Sequence, residues 1–537
     1  MRALLKNIAV ALLIVAPVVA IAQDGQLADR QVLRDGMPDD DITGLDPLIF
    51  LNSSTEPLVR AMFEGLVRFN YGNVSPELME PALAERWETS DDGLKWTFFL
   101  RQGVQFHKGF GEFTAEDVKF TIERNQSEGS RVAGDYANVE SVVVVDPYTV
   151  EFNLKSPDAF FLFTVGNYQG GFMVSKAAVE SLGLEGFRTN PVGTGPFQFE
   201  EWIPRERVVL VRNQDYWRGA PILEAVEAVF MPDVNARTLA LLQGEIDTMS
   251  WGIDDEQWVR SMEAQGVTVD LLGFDVPMML HLNMTVEPLD DIRVRRALAH
   301  ATNKEDFIAF HGSAITRVQD SPLPPSMYGY LSPAEGLPTY EYDPEKAREL
   351  LVEAGYPNGL DLGTILSSVR PLYLDPLEVV QGQWAEVGVT FDIQTYSHNE
   401  YQALIRQDLS PIVGYPGARA TPHMILFQYL HSGSIVTKDT GITNFSHYGD
   451  VDAVGDGTID SIDDLIVGAL TSLDPARQRE LYAQAQIQIM EDLPVIPLRV
   501  LAAVRARQSW VDLGYPPYEG SYMNGYAYNE LTRILQH

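Results

Sequence analysis

The densest group of metal-seeking side chains lies in Asp452-Ala453-Val454-Gly455-Asp456-Gly457-Thr458-Ile459-Asp460-Ser461-Ile462-Asp463. Acids at positions 1, 5, 9 and 12, a glycine at 6 and an apolar residue at 8 have the spacing of a twelve-residue calcium loop. Such a loop wraps one hard cation in oxygen ligands. The candidate ligands are Asp452, Asp456, Thr458, Asp460 and Asp463, and Gly457 permits the sharp turn. Val454 at position 3 removes one ligand, and the alternative is an acidic surface insertion. His423, His431 and His447 share one stretch, but three imidazoles at irregular spacing are not a metal motif. Two arginines stand where chemistry is possible. Arg370, in Ser368-Val369-Arg370-Pro371, follows a predicted strand and precedes a predicted helix. Arg419 lies in Gly414-Tyr415-Pro416-Gly417-Ala418-Arg419-Ala420-Thr421-Pro422. A guanidinium is a rigid fork that matches two carboxylate oxygens; a structural ion pair is the competing use. Catalytic signatures are missing: no Gly-x-Ser-x-Gly, no phosphate-cradling loop, no His-Glu-x-x-His and no cysteine. Paired carboxylates carry no information in a chain with 75 acids.

These groups must be positioned by a large mixed fold. Residues 1–22 have a charged start with Arg2 and Lys6, an apolar run from Ile8 to Val19, and a small-x-small exit before Gln23. This is the pattern of a cleaved secretory signal; the run is shorter than the ~20 residues that span a bilayer. Cleavage leaves 537 − 22 = 515 residues, more than one compact core usually holds. With no cysteine there are no disulfides and no lipidated N-terminal cysteine, so a free periplasmic protein is expected. The net charge of −36 becomes −38 once Arg2 and Lys6 are removed. That predicts no nucleic-acid partner and no insertion into an anionic membrane, and an anionic ligand would need basic residues gathered locally. Trp96, Phe98 and Leu100 alternate as in a half-buried strand. Thr114 and Asp117 form a capping box for a helix through Arg124. Ser141–Val145, a Pro147-Tyr148 turn and Val150, Phe152 and Leu154 predict a hairpin. Asp290/Asp291, Asp343-Pro344 and Asp474-Pro475 open helices. Strands and helices are interspersed throughout, which predicts an α/β protein built as several lobes that exchange segments.

Four groups of residues carry a more specific signal. They are Pro81-Ala82-Leu83-Ala84-Glu85-Arg86-Trp87 through Phe113-Thr114-Ala115-Glu116-Asp117-Val118; Pro191-Val192-Gly193-Thr194-Gly195-Pro196-Phe197 with Tyr216-Trp217; Leu282-Asn283 with Asp291-Ile292-Arg293-Val294-Arg295-Arg296-Ala297-Leu298; and Leu481-Tyr482 through Asp492-Leu493-Pro494-Val495-Ile496-Pro497-Leu498. In this order, from about residue 45 to about 505, the chain resembles the peptide/nickel/opine family of solute-binding proteins of ABC importers. The resemblance implies a bilobed periplasmic binding protein fold of the large, three-domain type. Residues 23–65, 186–279 and 500–537 would form one lobe, 66–185 an extra domain of that lobe, and 280–499 the second lobe. The function implied is capture of a small molecule between the lobes for delivery to an inner-membrane permease. The expected state is a monomer, with no cofactor beyond a possible structural calcium ion. Gly193, Gly195 and Pro196 are read as shaping the backbone, and Trp87, Trp96 and Phe98 as core.

The resemblance also implies site residues. In dipeptide-binding members an arginine before proline, here Arg370, binds the ligand carboxylate. Where such members carry an aspartate for the α-ammonium, the alignment places Ala418, followed by Arg419. That departure argues against a plain peptide and for an acidic ligand such as an opine-like conjugate or a modified peptide. Tyr415, Thr421 and His423 in the same segment, with Trp251, Tyr396, Tyr401 and Tyr429, are the remaining candidate contacts. Oligosaccharide or nickel-chelate binding, and a secreted glycosidase, are the alternatives weighed; docking on a chemoreceptor would look the same in sequence.

Overall fold

The computed structural model describes residues 26–48, 55–72, 79–127, 130, 132–167, 170–250, 255–417, 419, 421–438, 443–516 and 528–536. Residues 1–22, expected to be a cleaved signal, Trp251 and Ala418 lie outside them. The backbone of the molecule is a nine-stranded sheet. Its central members are two long antiparallel strands, Thr268–Leu282 and Val495–Arg507, in register from Thr268↔Arg507 to His281↔Val495. At one end of the pair, Arg505, Ala506 and Arg507 bond to the Thr248–Ser250 strand. Beyond it lie Val32–Met37, Ala225–Phe230, Arg207–Arg212 and Phe197–Ile203. At the other end, Met278–Leu282 pair with Ile412–Pro416. The two long strands therefore link the Thr248–Ser250 end of the sheet to the Ile412–Pro416 end. Their ladder is interrupted near Phe274 and again between Met278 and Met279, which lets so long a pair bend.

The local signals read from the sequence recur as built structure. Lys95–Leu100 is a strand with Trp96, Phe98 and Leu100 buried. It belongs to a separate four-stranded antiparallel sheet completed by the Val139–Asp146 and Thr149–Leu154 hairpin. Thr114 and Asp117 close the capping box on Ala115–Asn125. Asp291, Asp343 and Asp474 each accept a helix N-terminal amide with their side chains. Acceptors placed there satisfy donors that would otherwise be orphaned in the first turn.

Gly193 and Gly195 are needed for space. A Cβ on Gly193 would sit 2.0 Å from the Met62 carbonyl oxygen, and one on Gly195 2.6 Å from that of Ala61. The segment thus packs flush on the Glu56–Met62 helix. Buried His107 stitches it down, donating from Nε2 to Gly195 O (2.9 Å) while Nδ1 accepts from Gly193 N (3.3 Å).

A distinct core cluster is built around Trp384, which is fully buried and donates to Thr302 Oγ1 at 3.0 Å. Beside that core lies a parallel pair, Leu360–Ser368 and Val389–Tyr396. Parallel strands end their chains on the same side, and crevices form where loops leave those carboxyl ends.

Candidate functional site

Both strands of the parallel pair finish together, with Ser368 opposite Tyr396. The Val369 amide donates to Tyr396 O at 2.9 Å. The chain then enters the Pro371–Glu386 helix, with Pro371 at its first position and Arg370 as N-cap in extended conformation. Proline at that position lacks only an N–H that would be orphaned anyway, and Arg370 before it is exposed. Ser368 Oγ fixes the turn by accepting from Arg370 N (3.2 Å) and contacting His398 Nδ1 (3.2 Å).

The partner strand leads into the His398–Ile405 helix. Buried Tyr401 donates to Gly414 O at 3.0 Å and ties that helix to the Ile412–Pro416 strand. Gln402 Oε1 receives Tyr415 Oη at 3.3 Å and Arg406 Nη1 at 2.5 Å; Arg406 Nη1 also donates to Gln402 O at 2.8 Å. Arg406 is thereby held by neutral groups.

Between these helices and the long strand runs a continuous aromatic wall. Tyr373 packs against His398 (5.1 Å between centroids), Tyr401 (5.5 Å) and Tyr415 (6.1 Å). Tyr415 meets Tyr429 (6.0 Å) and Phe445 (5.4 Å), and His281 closes the far end against Tyr429 and Phe445 (5.6 Å each). Burial raises the phenols of Tyr373, Tyr401 and Tyr429. The charges of Arg370 and Arg406 oppose that shift at Tyr373, and those of Arg406 and Arg419 oppose it at Tyr429. Arg370, Arg406 and Arg419 thus act electrostatically on the same group of tyrosines. Arg419 lies over the Tyr429 ring at 5.3 Å, and its Nε donates to Gln428 Oε1 at 2.5 Å. Its charge also opposes the burial that lifts Asp135, in the 66–185 segment, to about 6. Arg370 is exposed at the wall's edge. Among the described residues no carboxylate lies within ion-pair distance of Arg370 or Arg406. Burial first, then the charges of Arg370 and Arg406, hold His398 down to about 4. At neutral pH His398 is therefore uncharged, and among the described residues the positive charge at the wall comes from the arginines.

The fold gathers some sequence candidates and reassigns others. Arg370, Arg419 and Tyr415 converge on the wall, and Tyr396 is half-buried beside Val369. Thr421 is buried and serves as the N-cap of the Pro422–Leu430 helix, its oxygen accepting from Met424 N at 3.1 Å. His423 stacks on Phe427 at 5.3 Å, and burial holds it down to about 4. The other histidines have separate local partners: His431 Nδ1 accepts from Gly433 N (2.9 Å), and His447 Nε2 meets Asp408 Oδ2 (3.0 Å). Arg406, Gln402, Tyr373, His281 and Asp135 were not anticipated.

The Asp452–Asp463 loop closes on itself. The Asp452 carboxylate accepts from the amides of Gly455 (2.7 Å), Asp456 (3.1 Å) and Gly457 (2.7 Å). Asp456 accepts from Thr458 N (2.9 Å) and Asp460 from Ala453 N (2.8 Å). Asp463, the expected last ligand, instead accepts from Ser432 N at 3.0 Å and from Ser432 Oγ. Among the described residues no three His, Asp or Glu side chains are grouped to hold a metal ion, so no ion is assigned to this loop.

Comparison with known proteins bears on the whole arrangement. The family model described as "Bacterial extracellular solute-binding proteins, family 5 Middle" matches residues 79–436. The chain is 34% identical to MoaA from A. tumefaciens R10, solved in complex with mannopinic acid, with a TM-score of 0.82 over 94% of this chain and 100% of that one. DppA from Helicobacter pylori, solved with the peptide STSA, is 28% identical with a TM-score of 0.76, covering 94% of this chain and 98% of its own. Heme-binding protein A of Haemophilus influenzae is 29% identical over 491 residues, 85% of this chain and 84% of that protein. These neighbours share the bilobed binding-protein fold. Among the described residues no helix is long and apolar enough to cross a membrane.

Proposed function

The chain belongs to the bacterial extracellular solute-binding proteins of family 5, and on that premise we propose that it captures a small carboxylate-bearing ligand between its lobes and delivers it to an ABC permease from the periplasm. One observation carries the ligand class. In a protein of net charge −36, Arg370 and Arg406 stand beside one aromatic wall with no described carboxylate to neutralise them.

The chemistry follows from that placement. A guanidinium at a helix start, held by a proline turn, presents two parallel donors to a carboxylate. Arg406, oriented by Gln402, supplies a second cation on the same patch. The tyrosine faces offer apolar contact for a carbon skeleton, and closure of the lobes would strip water and strengthen every charge interaction inside. Binding then biases an open–closed equilibrium by the difference in affinity of the two states. An opine-like acid fits this chemistry, and the 34% identical neighbour bound to mannopinic acid supports that choice. A peptide is the second reading, favoured by the neighbour solved with STSA.

Thermal-shift screening of the mature chain against mannopinic acid, the peptide STSA and a neutral sugar tests the proposal. Stabilisation by the acid, lost in Arg370→Ala, is the expected result. Stabilisation by the neutral sugar alone would discard the carboxylate reading and leave the importer role standing.

A further inference from the structure

The short turn between the Thr149–Leu154 strand and the Phe161–Thr164 helix reaches out of the 66–185 segment onto the second lobe. Two consecutive phenylalanines point in opposite directions from it. Phe161 turns inward, against Trp96 (5.4 Å), Phe152 (5.3 Å) and Phe98 (6.3 Å) of its own four-stranded sheet. Phe160 turns outward and packs edge-on against Tyr328 (6.1 Å) and beside Tyr482 (6.5 Å). Both Phe160 and Tyr482 are buried, at 7% and 0% exposed, although more than 300 positions separate them in the chain.

The backbone joins the same contact. The Ala159 amide donates to Leu470 O, the penultimate residue of the Asp463–Thr471 helix, at 3.0 Å. Alongside, a Cβ on Gly93 would lie 3.0 Å from Leu473 Cδ1 and 3.3 Å from Pro157 Cβ, so the two surfaces meet at van der Waals distance. Asp158 braces the turn by accepting from Phe160 N at 2.8 Å. None of these groups belongs to the arginine and tyrosine wall. An interface made and broken as lobes move contributes to the closed state without touching the bound molecule, and apparent affinity scales with the fraction of competent state.

We propose that the Asp158–Phe160 turn is a clasp: docked on Tyr328 and Tyr482, it holds the lobes together from outside the ligand contacts and sets how long captured ligand is retained. Phe160 is thus a positioning residue for closure. The inference rests on the capture reading above, but its primary readout needs no ligand.

The chain has no cysteine, so spin labels can be placed at Val145→Cys and Val352→Cys, which are 54% and 55% exposed on the two partners. Double electron–electron resonance then reports their separation in the full mature chain, alone and with mannopinic acid as probe. Phe160→Ala is expected to move weight to longer distances in both states and to speed release of the probe about tenfold. Leu473→Asp, at a position 50% exposed on the lobe side, is expected to do the same without touching the extra domain's core. Distance distributions that superimpose for wild type, Phe160→Ala and Leu473→Asp, with and without probe, overturn the clasp. Failure of the probe to bind any of the three proteins counts against the ligand reading, while the distances still decide the clasp.

Discussion

The Asp452–Asp463 loop and the aromatic wall invite comparison, because the charged groups of one find partners within the protein and two of those in the other have no described carboxylate to pair with. The Asp452–Asp463 loop is dense in acids at regular intervals, and its carboxylates accept from the protein itself: Asp452 from three backbone amides of its own turn, Asp463 from Ser432. The wall around Tyr373, Tyr415 and Tyr429 carries no recognisable spacing, yet it leaves Arg370 and Arg406 without a described carboxylate. Acid–base type shows which groups could bind something. The fold decides which are still available to do so, and availability is the more informative property.

The comparison is broken most forcefully at Arg370. Arg370→Ala should weaken mannopinic acid binding by about 2–3 kcal/mol, the value of a charge-assisted pair, while Asp452→Ala should leave it unchanged in calorimetric titration. The reverse ranking would exchange the roles of the two regions.

A second prediction concerns the buried end of the wall. His281 is 1% exposed, and among the described residues neither ring nitrogen has a hydrogen-bond partner; burial lowers its pKa from 6.5 to about 3. A base whose folded pKa is depressed contributes fully above its unfolded value, and that contribution is lost as pH falls toward the folded value. Between pH 7 and pH 5 this residue alone should therefore remove about 2 kcal/mol. His281→Phe, flanked by Tyr429 and Phe445, should abolish that part of the acid sensitivity in urea unfolding compared at the two pH values. An unchanged pH dependence would mean that the imidazole is not buried neutral.

Smaller effects sharpen the contrast. Tyr415→Phe removes the phenol that donates to Gln402 at 3.3 Å and should loosen Arg406 by less than about 1 kcal/mol, visible as a modest loss of affinity for the acid. Smallest of all, calcium or EDTA should leave the melting temperature where it is. A calcium-dependent rise, abolished by Asp456→Ala, would restore the metal reading of the loop.

What was legible in the sequence was mostly local. Alternation at Trp96, Phe98 and Leu100 reports one strand's two faces. The capping pair Thr114 and Asp117, and Asp343 before Pro344, report helix starts, because each signal is complete within a few residues. Resemblance to a family singled out Arg370 and Tyr415, which the fold brings to one aromatic wall. Thr421 had a second, structural role whose cue was present: a threonine immediately before Pro422 is the start of a helix, and its oxygen caps the first turn. Arg406, His281 and Asp135 could not have been read, because they come from a helix, a long strand and a separate sheet domain that only the topology assembles. The outward turn of Phe160 beside inward Phe161 was equally silent, since two adjacent phenylalanines look alike until their neighbours are known.

The claim that the wall selects for carboxylate is tested most directly by calorimetric titration with a matched pair: mannopinic acid and the same molecule with its carboxylates converted to amides. The account predicts tight binding of the acid and at least a tenfold weaker response to the amide. Equal affinity for the two would contradict it.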